Sequence, residues 1–416
     1  MLSALPLKLS LDMKHFFHRF LSSVRPRQLS GWLIPSIALL VAVFLIAAFA
    51  YNFRGRSAEH SAPEPARRLT VSDPFSGRLY FNTEFGQSDF SQALIGAIDA
   101  AHQRIDVAVY SLDHPGIRDA LYRAARRGVT VTLILSDKHA AGQDAVLKDM
   151  PSGMTRQVIA TGSGNGGSMH DKFMIVDSGL PQAKLFFGSY NFTVLQEKFD
   201  PSFLLETDRP EIIAVFAEEF DRLAKGLNGA AKTRAGVNPF AARIAYPEGY
   251  LEIWFGPQSG SDGLRDRLLG LMNTAKQNLS IMIWNLTDAG VAEAIGDRAG
   301  EGLSIDVLTD DTNVFGPDSA LPDLLARQKT EKLASLEILT DAKRNAEIKN
   351  VFKQKDLNSF LHHHVLIADK QTVLFGTGNW SRGGFYSNDE SAMVSDIPLL
   401  VESFQKAFTA NYDKAR

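Results

Sequence analysis

The sequence predicts an α/β protein made of two tandem copies of one domain, preceded by one transmembrane helix. Three observations support this fold class: a short motif occurs twice, apolar runs alternate with amphipathic helices in both halves, and the amino-terminal region contains a long uncharged stretch. Strands that alternate with helices indicate a sheet covered by helices. The chain has 416 residues, 45% of them hydrophobic and 22% charged, which is enough for two such domains.

The predicted membrane segment is the nearly continuous apolar run of residues 32–51. A helix of 20 residues spans ~30 Å, the thickness of a bilayer core. Five Lys or Arg and one Asp precede the run, so the positive-inside rule places the amino terminus in the cytoplasm and the remaining chain on the far side, periplasmic or extracellular. We interpret the run as an uncleaved single-pass anchor, with signal-peptide cleavage near Ala50 as the alternative.

Composition and repeat register divide the chain into five predicted segments. They are the leader and anchor (1–53), a polar linker (54–70), the first domain (71–233), a connection (234–249) and the second domain (250–416). Apolar spacing predicts a helix starting at residue 90, a strand at 105–112, a helix at 117–127 and a strand at 129–135, repeated at 264–278, 279–286, 291–301 and 303–309. Amphipathic helices at 210–224 and 397–415 close the halves, and the apolar runs 173–176 and 365–368 predict central strands.

The repeated motif joins a His, a second basic side chain two positions later, an Asp, and a Gly-Ser/Thr-x-Asn segment. The first copy consists of His170, Lys172, Asp177, Gly188, Ser189 and Asn191, and the second of His362, His364, Asp369, Gly376, Thr377 and Asn379. Side chains two positions apart on a strand point to one face. Two such faces brought together predict a site where two imidazoles and several donors surround one anionic group.

These residue types suit the cleavage of a phosphodiester without a metal, which needs a nucleophile, an acid and positive charge. An imidazole can be either nucleophile or proton donor near neutral pH. Lys172, Ser189, Asn191, Thr377 and Asn379 are the predicted phosphate-binding residues.

Three carboxylates accompany the motif. We interpret Asp177 and Asp369 as holding the strand end and its loop rather than carrying protons. Glu390 is expected to bond a ring nitrogen of His362 and fix its tautomer. The chain contains no Cys, so thiolate metal sites are excluded, and we expect neither a metal nor a cofactor.

With these motifs the chain resembles the phospholipase D superfamily, whose signature is HxK, four residues, Asp, then GSxN. The resemblance covers about residues 69–416, and it implies two α/β/α sandwich domains with central mixed sheets in a pseudo-dimeric monomer. It also implies a covalent phosphohistidine intermediate, with His170 as nucleophile, His362 as general acid and Lys172 as phosphate clamp. The family pattern places Asp177, His364, Asp369 and Glu390 in the catalytic set as well.

The sequence departs from the family pattern at two positions. His364 replaces the second Lys, so its charge depends on pH, with a pKa near ~6.5 if unperturbed, and phosphate stabilisation is expected to favour acid. Ser202 stands where the first half would carry the counterpart of Glu390. Carboxylate support for His170 is therefore in question, and His362 is the alternative nucleophile.

The resulting hypothesis is a membrane-anchored phosphodiesterase that acts at the bilayer on a phospholipid head group. A metal-independent nuclease, a phosphatidyltransferase of the cardiolipin-synthase kind and an inactive phosphate-binding protein remain open. The chain has a net charge of −3 and its leader carries +4, so the residues after the leader carry −7. This balance makes nucleic acid a less favoured partner than lipid. We assign Trp254, Trp284, Trp380 and His363 to structural roles.

Overall fold

The structure, a computed structural model, describes residues 66–82, 88–159, 167–352 and 359–416. All of them lie in one compact unit, Ala62–Arg416. Within these ranges, no helix combines the length and the apolar character needed to cross a bilayer. The predicted membrane segment, residues 32–51, lies outside the described residues.

The described elements follow the predicted alternation of strands and helices. In the first half they are β1 (Arg67–Thr70), β2 (Arg78–Phe81), α1 (Phe90–Ala100), β3 (Arg104–Val109), α2 (Pro115–Arg126), β4 (Thr130–Ser136), α3 (Ala140–Val146), β5 (Met154–Ile159), β6 (Lys172–Val176), β7 (Lys184–Gly188), α4 (Val194–Phe199), β8 (Phe203–Thr207) and α5 (Pro210–Ala224). A short helix, α6 (Ala230–Arg234), leads to the second half.

Among the described residues, the second half repeats this order with one additional helix, Ala342–Phe352. Its elements are β9 (Phe240–Tyr246), β10 (Gly249–Phe255), α7 (Leu264–Thr274), β11 (Asn278–Ile283), α8 (Ala289–Gly300), β12 (Ser304–Thr309), α9 (Leu321–Thr330), β13 (Leu336–Thr340), α10 (Ala342–Phe352), β14 (His364–Ala368), β15 (Thr372–Gly376), α11 (Arg382–Tyr386), β16 (Ser391–Ser395) and α12 (Pro398–Ala415).

Each half forms its own mixed sheet. The strand order is β2-β8-β7-β6-β3-β4-β5 in the first and β1-β9-β10-β16-β15-β14-β11-β12-β13 in the second. Apart from β1 and β9, the two orders match strand for strand. β3 runs parallel to β4 and antiparallel to β6, and β11 has the same relation to β12 and β14. The predicted α/β fold with a repeated mixed sheet is confirmed, and the motif strands β6 and β14 are interior strands.

Two strands lie where the sequence suggested irregular segments. Residues 67–70, assigned to the linker, form β1, which pairs in parallel with β9 of the second sheet. The segment 234–249, assigned to a connection, contains β9 itself. Ala242, Ile244 and Tyr246 alternate with more exposed neighbours and pack into the core, a period of two typical of a strand. The Gly, Pro and Asn residues that flank β9 concealed this alternation.

The two halves share one hydrophobic core. Phe187 and Phe203 of the first sheet lie 6.1 and 5.6 Å from Phe375 of the second, measured between ring centroids. Phe404 of α12 packs against Phe203 and Phe375 at 5.1 and 4.7 Å. His363 stacks on Phe203 at 6.2 Å, which supports its structural assignment. Aromatic side chains from both halves are buried against one another. The halves therefore form one unit rather than two separate domains joined by a linker.

Asp177 and Asp369 hold equivalent corners of the two sheets. The Asp177 carboxylate accepts the backbone N–H groups of His102, Gln103 and Arg104 at 2.8, 2.7 and 3.1 Å. Asp369 accepts those of residues 276–278 in the same way. Each carboxylate thereby fixes the turn between a helix and the next strand. A strand rises about 3.3 Å per residue, so Asp177 lies about 20 Å from His170 and takes no part in chemistry there.

Removing the Asp177 carboxylate should destabilise this corner. Partial burial raises the pKa of Asp177, but the three backbone N–H groups outweigh burial and hold the pKa below its usual value. We expect Asp177→Ala to lower the free energy of unfolding by about 1–3 kcal/mol at pH 7, measured by urea denaturation. Asp177→Asn, which keeps one acceptor and tolerates the positive φ of 53°, should lose less.

The difference between wild type and Asp177→Ala should depend on pH in a defined direction. A lowered carboxyl pKa stabilises the folded state above the unfolded-state value near ~3.9, and the stabilisation disappears as pH falls through the folded-state value. Equal unfolding midpoints for the two proteins at pH 7 would contradict the assigned role.

Candidate active site

The two motif histidines lie where the halves meet. His170 precedes β6 and His362 precedes β14, and a parallel bridge joins Met169 to Asp389 across the junction. The His170 backbone N–H donates to the Asp389 carbonyl at 2.9 Å. Tyr110 and Trp284 occupy equivalent places at the ends of β3 and β11. The Tyr110 ring lies 4.7 Å from the His170 ring, and Trp284 stacks on His362 at 5.2 Å.

Glu390 is the partner of His170, not of His362 as the sequence suggested. Its Oε2 lies 2.9 Å from His170 Nδ1, and the carboxylate is 1% exposed. The Thr377 hydroxyl donates to the same oxygen at 2.6 Å, and the Asn388 amide donates to Oε1 at 3.0 Å. A carboxylate on Nδ1 leaves the other ring nitrogen, Nε2, with a free lone pair. The first half carries Ser202 where a carboxylate would be expected, but His170 still has a carboxylate partner, because Glu390 of the second half contacts it.

The second histidine has no such support. Ser202, at the position equivalent to Glu390, donates its hydroxyl to the Asp200 carbonyl at 2.9 Å and accepts the Gln196 amide at 2.9 Å. His362 Nδ1 is buried and has no hydrogen-bond partner within the described ranges. The two imidazoles are therefore chemically different, although the strands that carry them are related by the repeat.

Burial and charge set the protonation of the His170 pair. Burial lowers the pKa of His170, Glu390 raises it, and Lys172 lowers it again, with a net lowering. Burial raises the pKa of Glu390, but the charge and hydrogen bond of His170 outweigh this effect and leave that pKa lowered. The pair at neutral pH is therefore a neutral imidazole beside an ionised carboxylate.

Lys172 is a buried cation on the same side of β6 as His170. Its Nζ donates to the His170 carbonyl at 2.6 Å and lies 5.4 Å from the centre of the Tyr110 ring. Burial lowers the pKa of Lys172 to about 8, although Glu390 and Asp171 raise it. The ammonium remains mostly protonated at neutral pH, as a phosphate-binding group requires.

His364 lies beside His362, but its imidazole is not readily protonated. The two rings are 5.3 Å apart, and both ring nitrogens of His364 are buried without a partner among the described residues. Burial, together with His362, His170 and Lys172, lowers the pKa of His364 well below its usual value. The His364 imidazole of the free protein is therefore neutral at pH 7. Its pKa is lower than the near-neutral value expected from sequence alone.

The Gly-Ser/Thr-x-Asn segments contribute unequally. The side-chain oxygens of Asn191 and Asn379 are buried without a hydrogen-bond partner in the described part of the chain. Only the amide N–H groups of these residues could donate to a phosphate. The Thr377 hydroxyl is committed to Glu390, and the Ser189 hydroxyl accepts the Phe203 backbone N–H at 3.1 Å. Thr377 thus orients the carboxylate instead of facing phosphate as predicted.

The two motif glycines pack against protein backbone. A Cβ at Gly188 would lie 2.1 Å from the Phe203 carbonyl oxygen, and one at Gly376 would lie 2.6 Å from that of Ser391. Both glycines therefore allow neighbouring strands to approach closely.

Other residues complete the site without an obvious motif. Lys232 of α6 is 1% exposed and pairs with Asp389 at 2.7 Å and with Glu219, which anchors the backbone next to Glu390. Asp200 and Asp310 accept the backbone N–H groups of Phe360 and Leu361 at 2.9 and 3.1 Å, just before His362. A lysine within a Gly-rich connection and isolated carboxylates give no sequence signal. For Trp284 a sequence signal does exist, because the repeat aligns it with Tyr110. The sequence analysis nevertheless assigned Trp284 to the core.

Metal-ligand geometry occurs elsewhere in the described residues, at Asp310, Asp311 and Asp341. Burial raises the pKa of Asp310 to about 6 and of Asp341 to about 8. Asp310 also holds the Leu361 backbone, and this acidic group is not assigned a ligand. Three tryptophans lie in the described residues. Trp254 stacks on Phe240 at 4.6 Å, Trp380 is buried in the second-half core, and Trp284 stacks on His362 in the site.

Comparison with known proteins agrees with this geometry. The family model described as "Cardiolipin synthase, PLD-like domain" matches residues 94–224 and 268–412, which is more than half of the chain. The protein belongs to the phospholipase D superfamily. The first matched range covers β3 to β8 and α5, and the second covers β11 to β16 and most of α12.

Individual relatives are distant. The chain is 22% identical over 152 residues to the mitochondrial cardiolipin hydrolase of Xenopus laevis, and 28% identical over 145 residues to that of Homo sapiens. These matches span 36% and 34% of this chain and 62% and 54% of the relatives, less than two thirds of their length. A phosphatidylserine synthase structure from Haemophilus influenzae Rd KW20 superposes with a TM-score of 0.59 at 13% identity, covering 82% of this chain and 89% of that one, which shows a common fold.

Glu390 should control the basicity of His170. Because the carboxylate raises the pKa of His170 against the effect of burial, Glu390→Gln should lower that pKa further, as followed by NMR titration of the imidazole signals. His362 is the internal control, since it lacks a carboxylate partner and should change less. An unchanged or raised His170 pKa in the variant would show that the pair does not operate.

Proposed function

We propose that this protein is a membrane-anchored phosphodiesterase of phospholipase D type that hydrolyses phospholipid head groups. The observation that carries the proposal is the buried His170–Glu390 pair, because a carboxylate on Nδ1 supports a neutral imidazole that can react through Nε2, with Lys172 on the same side of β6. The match to the cardiolipin synthase, PLD-like domain family and the similarity to mitochondrial cardiolipin hydrolases support a lipid substrate.

The proposed reaction proceeds in two displacements. His170 Nε2 attacks phosphorus while the bond to the head-group oxygen breaks, and the protonated His362 gives its proton to that oxygen. Without a carboxylate partner, the imidazolium of His362 is the stronger acid, and the bound phosphodiester anion favours its charged form. Water, deprotonated by His362, then attacks phosphorus and breaks the P–N bond, which restores both histidines. Lys172, Asn191 and Asn379 hold the non-bridging oxygens.

β1 lies in the second sheet and begins near the end of β10 that supports the site. Arg67 pairs with Ala242, and Ala242 pairs with Ile253 of β10. Three residues after Ile253, the Gly256 N–H donates to the Glu390 carbonyl at 2.7 Å. The described chain therefore begins at the end of the second sheet that supports the site. We propose that residues 32–51 anchor the protein, with the amino terminus cytoplasmic and the two sheets on the far side of the membrane.

Loss of the proposed nucleophile should abolish turnover. We expect His170→Ala to reduce phospholipid hydrolysis in mixed micelles beyond the ~10²–10⁴-fold attributable to acid–base help, with EDTA present throughout. Wild type should form an acid-labile phosphoprotein with head-group release, and His170→Ala should not. His362→Ala should slow both the formation and the hydrolysis of that intermediate. Wild-type activity that requires an added divalent ion, or activity of His170→Ala within a few-fold of wild type, would refute the mechanism.

The contribution of His364 to phosphate stabilisation should increase as the pH falls. Since its pKa is lowered by burial and by the neighbouring cations, His364→Gln should match wild type at pH 8 and fall behind as pH decreases. His364→Lys should keep activity and extend it to higher pH. Rate profiles of the three proteins between pH 4.5 and 9 provide the test. Superimposable profiles would show that His364 carries no phosphate charge.

A further inference from the structure

Two glycines flank the side chain of Glu390. The Gly256 N–H donates to the Glu390 carbonyl at 2.7 Å, and a Cβ at Gly256 would lie 3.3 Å from Glu390 Cβ. A Cβ at Gly378 would lie 3.2 Å from Glu390 Cδ and 3.4 Å from Oε2, the oxygen that contacts His170. These distances are shorter than the ~3.5–4.0 Å of an ordinary carbon–carbon contact. The Glu390 side chain therefore occupies space that a larger residue at either position would take.

The corresponding positions of the first half follow from the strand pairing. The last residue of β2 pairs with the first residue of β8, and the last residue of β10 pairs with the first residue of β16 in the same way. The residues that follow β2 and β10 are Asn82 and Gly256, and those that precede β8 and β16 are Ser202 and Glu390. Asn82 therefore corresponds to Gly256, as Ser202 corresponds to Glu390.

The first half carries larger side chains at both flanking positions. Asn82 is buried, and its Oδ1 accepts the Ser202 backbone N–H at 2.7 Å. In the Gly-Ser/Thr-x-Asn segments, the variable residue is Tyr190 in the first half and Gly378 in the second. Tyr190 is 0% exposed, and its ring packs on Phe90 at 4.7 Å. The first half thus combines two bulky neighbours with a short serine, and the second combines two glycines with a long carboxylate side chain.

The Glu390 carboxylate cannot yield easily to an added neighbour. Thr377 donates to Oε2 at 2.6 Å and Asn388 donates to Oε1 at 3.0 Å, while Oε2 also lies 2.9 Å from His170 Nδ1. Protein interiors are close-packed, so one extra methyl group forces a side chain to move. Any movement of this carboxylate breaks or lengthens one of its three contacts.

We propose that Gly256 and Gly378 are positioning residues for Glu390. They leave the space through which its carboxylate reaches His170, and the bulkier residues at the corresponding positions of the first half exclude a carboxylate from His362. The exchange of sizes between the halves thereby decides which imidazole becomes the nucleophile. The assignment of that chemical role rests on the proposed function, whereas the positioning of the carboxylate does not.

Gly378→Ala tests the positioning role directly. The φ angle of Gly378 lies outside the left-handed region, so alanine adds one methyl group without backbone strain. We expect the methyl group to displace Glu390 and to lower the His170 pKa, in the same direction as Glu390→Gln, in an NMR titration of the full chain. Gly270→Ala in α7, where an added Cβ meets no atom within 4 Å, is the matched control and should leave that pKa unchanged.

A double substitution distinguishes positioning from a general structural effect. In the Glu390→Gln background no carboxylate remains to be displaced, so adding Gly378→Ala should leave the His170 pKa nearly where Glu390→Gln alone puts it. An unchanged His170 pKa in Gly378→Ala, or an equal lowering in both backgrounds, would overturn the positioning role. The titration reads the carboxylate alone and needs no substrate.

Turnover provides the second measurement. We expect Gly378→Ala to lower kcat for phospholipid hydrolysis about tenfold and the larger Gly378→Val about 10²-fold, with KM little changed because Glu390 does not hold the phosphate. Gly270→Ala should match wild type. If wild type hydrolyses no phospholipid, the proposed function fails, and the titrations still decide whether Gly378 positions Glu390.

Discussion

The buried carboxylate of Glu390 is the constraint on which the site depends. An ionised group with 1% exposure is stable only when charge and hydrogen bonds replace the lost water. Here His170 comes from one half, and Thr377 and Asn388 come from the other. The halves must therefore meet in one relative position before the carboxylate is satisfied. The shared aromatic core around Phe203 and Phe375 and the Lys232–Asp389 pair hold that position.

The repeat places two equivalent histidines at one junction, and the differences between the halves give them distinct properties. His170 gains a carboxylate, an adjacent ammonium from Lys172 and an edge contact with Tyr110. His362 has Trp284 on its face and an unpaired Nδ1 among the described residues. A nucleophile benefits from a carboxylate that raises its basicity, and a proton donor benefits from its absence. The two-step displacement that we propose requires two imidazoles of different basicity, and the repeat carries them on equivalent strands.

Much of the architecture could be predicted because it depends on local pattern. The helices α5 and α12 and the strands β3, β4, β11 and β12 begin and end within a few residues of the predicted bounds, since apolar periodicity marks them. The positions of His170 just before β6 and of Asp177 just after it also followed from spacing along one strand. β9 was not predicted, because its alternation is short and lies among residues typical of turns.

The partner of Glu390 could not be predicted from sequence for a different reason. Glu390 is closer in sequence to His362 than to His170, and sequence separation favoured the wrong histidine. The imidazole that Glu390 contacts depends on how the two sheets meet at the junction, where Met169 pairs with Asp389. The low pKa of His364 was missed for the same reason, since burial and the proximity of His170 and Lys172 from the other half arise only in the assembled site.

The fusion of both halves into one chain also changes how mutation acts on the site. In a symmetric dimer of identical chains, every substitution appears at both histidines at once, so a carboxylate cannot be lost from one imidazole and kept at the other. Here Ser202 and Glu390 are encoded separately, as are Lys172 and His364. One copy of the motif is therefore free to accumulate changes that would inactivate a dimer. The degenerate second motif is an example of such changes. Gene duplication allows the two histidines to acquire different roles, and a homodimer does not.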